Sequence, residues 1–160
     1  MLNGKEIVAR GIVTNVPEEN IAQHGVDLNL IGVEKMKGVG LIPIKGKTTL
    51  PRYEEIVPIE GVWRLEPGVY NITFDQGCKI PNDQMLLIRQ RSSLLRNGGS
   101  LHSSVFDAGF ETTKIGTVMV LFHSVDIEYG ARIAQIYNHV TDPVENLYNG
   151  QFQQDKQRQS

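Results

Sequence analysis

The chain has 160 residues, 40 % of them hydrophobic, with 16 Gly and 7 Pro: enough for one domain with a buried core, punctuated for short strands rather than long helices. Its formal charge of -2 excludes a positive field over the whole molecule, so no nucleic acid partner is expected and any anionic ligand must be held by a local cluster. The single cysteine, Cys78, excludes an internal disulfide and a cysteine-built zinc site.

Residues 1–6 hold no apolar signal core, and no apolar run approaches the roughly 18 residues of a membrane span. A cytoplasmic protein without a membrane anchor is expected, since an unpaired thiol suits a reducing compartment. Asn3 followed by Glu6 reads as a capping box that opens a short helix through about Arg10. Pro17-Glu18-Glu19-Asn20 predicts a turn or a second helical turn. Residues 25–30 alternate apolar and polar, a strand signal. Residues 34–60 are broken by Gly and Pro into short strands and loops.

Trp63 and Leu65 alternate before a Pro67-Gly68 turn. Val69, Asn71 and Thr73 then alternate with Tyr70, Ile72 and Phe74 in a further strand. Residues 85–91 form an apolar strand ending in charge. The unbroken apolar run 118–122 predicts a fully buried strand, and Ile133, Gln135 and Tyr137 close the series. The pattern predicts an all-β barrel or jelly-roll-like body over residues 1–150, followed by a polar, flexible tail over 151–160. Periodicity stops there and assigns no function.

Five segments carry chemistry. Arg91-Ser92-Ser93 ends a strand where a helix begins, so backbone N–H groups, two hydroxyls and a guanidinium converge in a place suited to phosphate oxygens. The ordinary alternative is a serine cap beside a surface arginine. Asp107, before Ala108-Gly109, is a turn aspartate by position and a proton acceptor by chemistry. Phe110 reads equally as core or as a flat wall for a ligand. Gln135 reads as a strand residue facing solvent. Phe152 sits in the polar tail. His24, His102, His123 and His139 show no metal-ligand spacing.

Gln23-His24-Gly25-Val26-Asp27-Leu28, Arg91-Ser92-Ser93-Leu94-Leu95-Arg96-Asn97-Gly98, Phe106-Asp107-Ala108-Gly109-Phe110 and Tyr129-Gly130-Ala131-Arg132-Ile133-Ala134-Gln135 follow one another in order. Tyr148-Asn149-Gly150-Gln151-Phe152-Gln153 adds a weaker fifth. Together they resemble the dUTPase and dCTP deaminase superfamily, on the side of the archaeal-type dUTPases and the deaminase-like branch. The resemblance spans nearly the whole chain. It implies a dUTPase-like β-barrel with short helices, assembled as a homotrimer with sites between copies.

The resemblance also implies roles. Asp107 would deprotonate the attacking water. Arg91, Ser92, Ser93 and Gln135 would hold phosphates of a neighbouring copy's nucleotide. His102, Ser103 and Phe106 would line the base-binding hairpin, and Phe110 would lie under the deoxyribose. Phe152 would fold over the base, although the family's glycine-rich and Ser/Thr-rich tail is replaced here by Gln153-Gln154-Asp155-Lys156-Gln157-Arg158. Mg²⁺ would be held mainly by the triphosphate, with no metal ligand set from the protein. Asp27 would tether or hydrate, and Arg132 would form an ion pair.

The two branches of the superfamily differ at one carboxylate. Deaminases carry a glutamate on the strand after the hairpin. Aligning Gly116 with the family glycine puts Leu121 at that place; a gapless alignment puts Thr117 there. Neither side chain transfers a proton. Glu111 is the only nearby carboxylate in sequence. The expectation is therefore hydrolysis of dUTP to dUMP and pyrophosphate. A dCTP deaminase, with or without dUTP hydrolysis, and a non-catalytic trimer binding a nucleotide or a protein remain as alternatives.

Overall fold

The computed structural model describes residues 1–153. Asn3 Oδ1 accepts from Glu6 N and Glu6 Oε2 accepts from Asn3 N, both at 3.0 Å. The expected capping box thus opens α1 (Gly4–Ala9), satisfying donors that a helix end leaves orphaned. Ile7 is buried beneath it. Gly4 is demanded by contact, because a Cβ there would meet Ala22 O at 2.2 Å and Gly25 O at 2.4 Å. After β1 (Val13–Thr14), Pro17 leads into a 3₁₀ turn over Glu18–Asn20.

Strand β2 (Val26–Lys37) runs for 12 residues, well past the expected stop at residue 30. A bulge between Leu30 and Gly32 shifts the alternation by one residue. Leu28 and Leu30 are buried before it and Val33 after it, so a strict two-residue period loses the strand there. The remaining strands are short. They are β3 (Arg52–Glu55), β4 (Val62–Leu65), β5 (Gly68–Phe74), β6 (Gly77–Lys79) and β7 (Gln84–Gln90). Helix α2 (Ser92–Arg96) precedes β8 (Gly99–His102), β9 (Glu111–Thr112), β10 (Gly116–Leu121), β11 (Val125–Glu128) and β12 (Arg132–Val140).

The main sheet runs β7-β12-β2-β5-β10-β8, with β3 added to the far half of β2. Its neighbours pair antiparallel. The two ends of the path meet, and Leu101 N donates to Gln90 Oε1 at 3.5 Å. The result is a nearly closed barrel, which leaves little open edge. Leu28, Ile72, Phe74, Met119 and Ile136 fill its inside with almost no exposure. Each contributes roughly 1.5–3 kcal/mol over an exposed side chain. Smaller sheets, β1-β6-β9 and β4-β11, flank it. No helix among the described residues is long and apolar enough to cross a membrane.

One expectation is corrected. The run 118–122 is not fully buried: Met119 and Leu121 face the core, whereas Val118 and Val120 are half-buried and Phe122 is 72 % exposed. Strand β10 lies between β5 and β8 with only one face against the core, so its alternate residues point outward. Val69, directly opposite Val120, is also exposed on that outer face. Strand β12 shows a similar break. A shift between Arg132 and Ala134 buries Ile133 and Ala134 together, leaving Gln135 and Tyr137 on the half-exposed side.

A loop is pinned to the end of β5 by Asp75. Its carboxylate accepts from Lys114 Nζ and, at 2.9 Å, from Asn15 Nδ2. The hydrogen bond from Lys114 is the largest of the effects that hold the Asp75 carboxyl below its ordinary range. A lowered folded pKa contributes stability above the unfolded value, and that contribution disappears as pH falls through the lowered pKa. Both partners are about two-fifths exposed, so the contribution is under about 1 kcal/mol. Lys114→Met should lower stability slightly at pH 7, and the gap to the wild type should close below about pH 4. Urea titrations at the two pH values measure this; a gap unchanged with pH would remove Asp75 from the acid response.

Candidate active site

The hairpin between β8 and β9 builds one wall of a cavity of about 600 Å³. Phe106 exchanges two backbone hydrogen bonds with Leu86, both at 3.0 Å, which fixes the hairpin against β7. The chain then turns: Phe110 N donates to Asp107 O at 3.1 Å, with Gly109 at φ +88° in the third position. That conformation favours glycine. Gly109 also lacks room for a side chain, since a Cβ would lie 2.6 Å from Leu147 Cβ.

This turn leaves Asp107 exposed and Phe110 only 9 % exposed, and both line the cavity. The Phe110 ring packs 5.6 Å from both Phe106 and Tyr148. His102 and Ser103 line the same cavity, as does Phe152. Every residue expected at the nucleoside therefore falls on one cavity with Asp107. Among the described residues that line it, Asp107 is the only carboxylate.

The C-terminal segment is docked there. Tyr148 N donates to Ala108 O at 2.8 Å. Gln151 pairs with both backbone groups of Thr48, at 3.0 and 2.7 Å. Gln153 accepts from Glu111 N at 2.9 Å and donates to Gly109 O at 2.8 Å. Phe152, held between them, is 41 % exposed on the cavity rim. The rest of the expected tail, residues 154–160 with Lys156 and Arg158, lies outside the described residues.

Arg91 and Gln135 are elsewhere, in a charged cluster around Asp27, whose side chain is 7 % exposed. Arg91 Nε lies 3.4 Å and Arg132 Nη1 3.6 Å from Asp27 Oδ2, while Gln135 Nε2 donates to Oδ1 at 3.3 Å. A buried carboxylate needs such partners. Two guanidinium groups against one carboxylate leave a local positive excess on a chain of net negative charge. Ser92 and Ser93 stand exposed in the first turn of α2 beside it. Neither is the helix cap; Arg91 occupies that position, without a side-chain cap bond.

Among the described residues, no group of three or more His, Cys, Asp or Glu is placed to hold a metal ion. Of the two positions weighed for a deaminase glutamate, Thr117 lines the cavity and donates to His102 O at 2.8 Å. Leu121 pairs with Gly99 at the other end of β10, 2 % exposed in the core. Glu111 is directed away to Lys79, 4.0 Å from its Nζ. Sequence reasoning missed Asn71, Tyr53 and Tyr148 as cavity residues. For Asn71 a signal existed, because asparagine is unfavoured in mid-strand.

The family model described as dCTP deaminase-like matches residues 3–139. The chain is 34 % identical over 156 residues to a probable deoxyuridine 5'-triphosphate nucleotidohydrolase of Aeropyrum pernix, covering 95 % of this chain and 96 % of that one. It is 35 % identical over 145 residues to the deoxyuridine 5'-triphosphate nucleotidohydrolase of Methanocaldococcus jannaschii, covering 89 % and 92 %. Its fold is similar to the 2'-deoxycytidine 5'-triphosphate deaminase of Agrobacterium tumefaciens, with a TM-score of 0.66 at 15 % identity. That match covers 87 % of this chain but only 48 % of the deaminase chain, so the chain spans about half of that protein's length.

The Asp27 cluster yields a prediction independent of any activity. Asp27→Ala leaves two arginines facing each other without their shared acceptor. It should destabilise the fold by about 1–2 kcal/mol, a figure reduced for the partial exposure of both arginines. Asp27→Asn, which keeps the volume and a carbonyl acceptor, should cost less. Equal and negligible losses in urea unfolding would show that the cluster carries no stability.

Proposed function

The chain belongs to the dCTP deaminase-like family, and from that premise we propose that it hydrolyses dUTP to dUMP and pyrophosphate at sites shared between the copies of a homotrimer. The observation that carries the reading is Asp107, the one carboxylate among the described residues of the cavity, on a turn that ends at the buried ring of Phe110. The relatives named for deoxyuridine triphosphate hydrolysis, aligned over nearly the whole chain, support the same substrate.

In this mechanism the base lies along the hairpin at His102, Ser103 and Phe106, under Phe152. The deoxyribose rests on Phe110, where a 2'-hydroxyl would find an apolar ring and no partner. Asp107 takes a proton from water as the water oxygen bonds to the α-phosphorus. The bond from that phosphorus to the bridging oxygen breaks, and pyrophosphate leaves. Mg²⁺ would be carried mainly by the triphosphate. Bound there, it would neutralise phosphate charge. Deamination lacks support, because neither Thr117 nor Leu121 can shuttle a proton.

Distance supports a shared site. Phe106 pairs with Leu86, and five steps of extended chain lead from Leu86 to Arg91, about 17 Å at about 3.3 Å each. At that separation a single triphosphate is poorly placed to meet both Asp107 and the Arg91 of the same copy. A second copy brings Arg91, Ser92, Ser93 and Gln135 to the site. Exposed apolar side chains supply surface for such an assembly: Val39, Ile42 and Ile44 on the loop after β2, and Val69 and Phe122 near the outer face.

Three outcomes are expected. Light scattering should give about 54 kDa, three times the 17.9 kDa chain; a monomer at micromolar concentration would defeat the shared site. In a parallel assay of dUTP, dCTP and UTP, pyrophosphate should come from dUTP and no ammonia from dCTP. Asp107→Asn should cut turnover by about two orders of magnitude or more while nucleotide binding is kept. Near-normal turnover of that variant would reduce Asp107 to a turn residue.

A further inference from the structure

Asn71 lies in the middle of β5, a strand of otherwise apolar, β-branched and aromatic character. Pairing register places Glu55, Glu34, Asn71, Val118 and His102 directly opposite one another across β3, β2, β5, β10 and β8. Directly paired residues share a face. On that face Asn71 is 6 % exposed and lines the cavity. A polar side chain so buried on a ligand cavity calls for a partner on each of its polar atoms.

One of these partners is Glu34. Asn71 Nδ2 donates to Glu34 Oε2 at 2.6 Å. The reverse orientation of the amide would set its carbonyl oxygen against a carboxylate oxygen, so Glu34 fixes which end of the amide is presented. Oδ1 is left as the atom for a ligand, and it can only accept. We infer that Asn71, oriented by Glu34, reads the N3–H of a uracil base and thereby favours uracil over cytosine nucleotides. Uracil carries a hydrogen on N3. Cytosine carries a lone pair there, which would face Oδ1 and leave two buried acceptors opposed. This inference rests on the dUTP reading. Asn71 is its specificity-determining residue and Glu34 a positioning residue.

The test uses the whole protein and needs no turnover. Equilibrium binding is measured for the α,β-imido analogues of dUTP and dCTP, while pyrophosphate release from dUTP is followed separately. Failure of hydrolysis and failure of base discrimination are thus read apart. The wild type should prefer the uracil analogue. Asn71→Ala and Glu34→Gln should each narrow that preference about tenfold, in line with the loss of one hydrogen bond, with secondary structure and assembly mass unchanged. The double exchange of Glu34→Gln with Asn71→Asp recreates the donor–acceptor pair in reverse and again leaves an acceptor toward the cavity. It should restore the preference. Equal binding of the two analogues by the wild type, an unchanged preference in Glu34→Gln, or an exchange that fails to restore it would overturn the inference.

Discussion

The architecture depends on satisfying the backbone of one strand. The 12 residues of β2 face β12 over the first part of their length, β5 over the second, and β3 on the other side of the far end. Each buried N–H and C=O along it needs a partner. No single neighbour supplies them all, so β2 bends at a bulge near Leu30 and Gly32 and passes from one half of the barrel to the other. A buried polar group sits beside this bend. Gln76 is fully buried, accepts from Asn29 N at 2.8 Å and donates to Asn29 Oδ1 at 2.9 Å, locking the corner between β5 and β6 onto β2.

That strand also distributes the chemistry. Near its start, Asp27 gathers Arg91, Arg132 and Gln135. Near its far end, Glu34 holds Asn71 at the cavity. The charged cluster and the cavity are thus mounted on one rigid element but kept apart by its length. A closed sheet has no room inside for a ligand, because its core is filled with side chains. The cavity is built instead at the margin, from the hairpin, the outer face and the docked segment at Tyr148 to Gln153. That separation within one copy is the reason the proposed reaction draws on a second copy.

The outer face reflects the same geometry. A strand in a one-layer barrel wall has one dry side, yet β10 carries apolar residues on both. Val118, Val120 and Val69 therefore remain partly open, although nothing in their local sequence differs from core residues. Apolar surface of this kind is stabilised by being covered, which agrees with an assembled protein.

By itself, the sequence determined the local features: the capping box at Asn3 and Glu6, the strands at 69–74 and 85–91, and the turn at Asp107 to Phe110. These depend on side-chain chemistry within a few residues, so they can be read from spacing alone. The order of its segments also singled out His102, Ser103, Phe106, Asp107 and Phe110, which lie on one hairpin along the cavity. Only tertiary structure decided the rest. It carried β2 past its bulge, exposed half of the 118–122 run, and put Thr117 rather than Leu121 at the cavity. It separated Arg91 from Asp107 and brought Asn71 and Glu34 together across 37 residues of chain. Burial and pairing across strands are set by register between distant segments, and a two-residue period carries no information about which neighbour, or which face, each strand will meet.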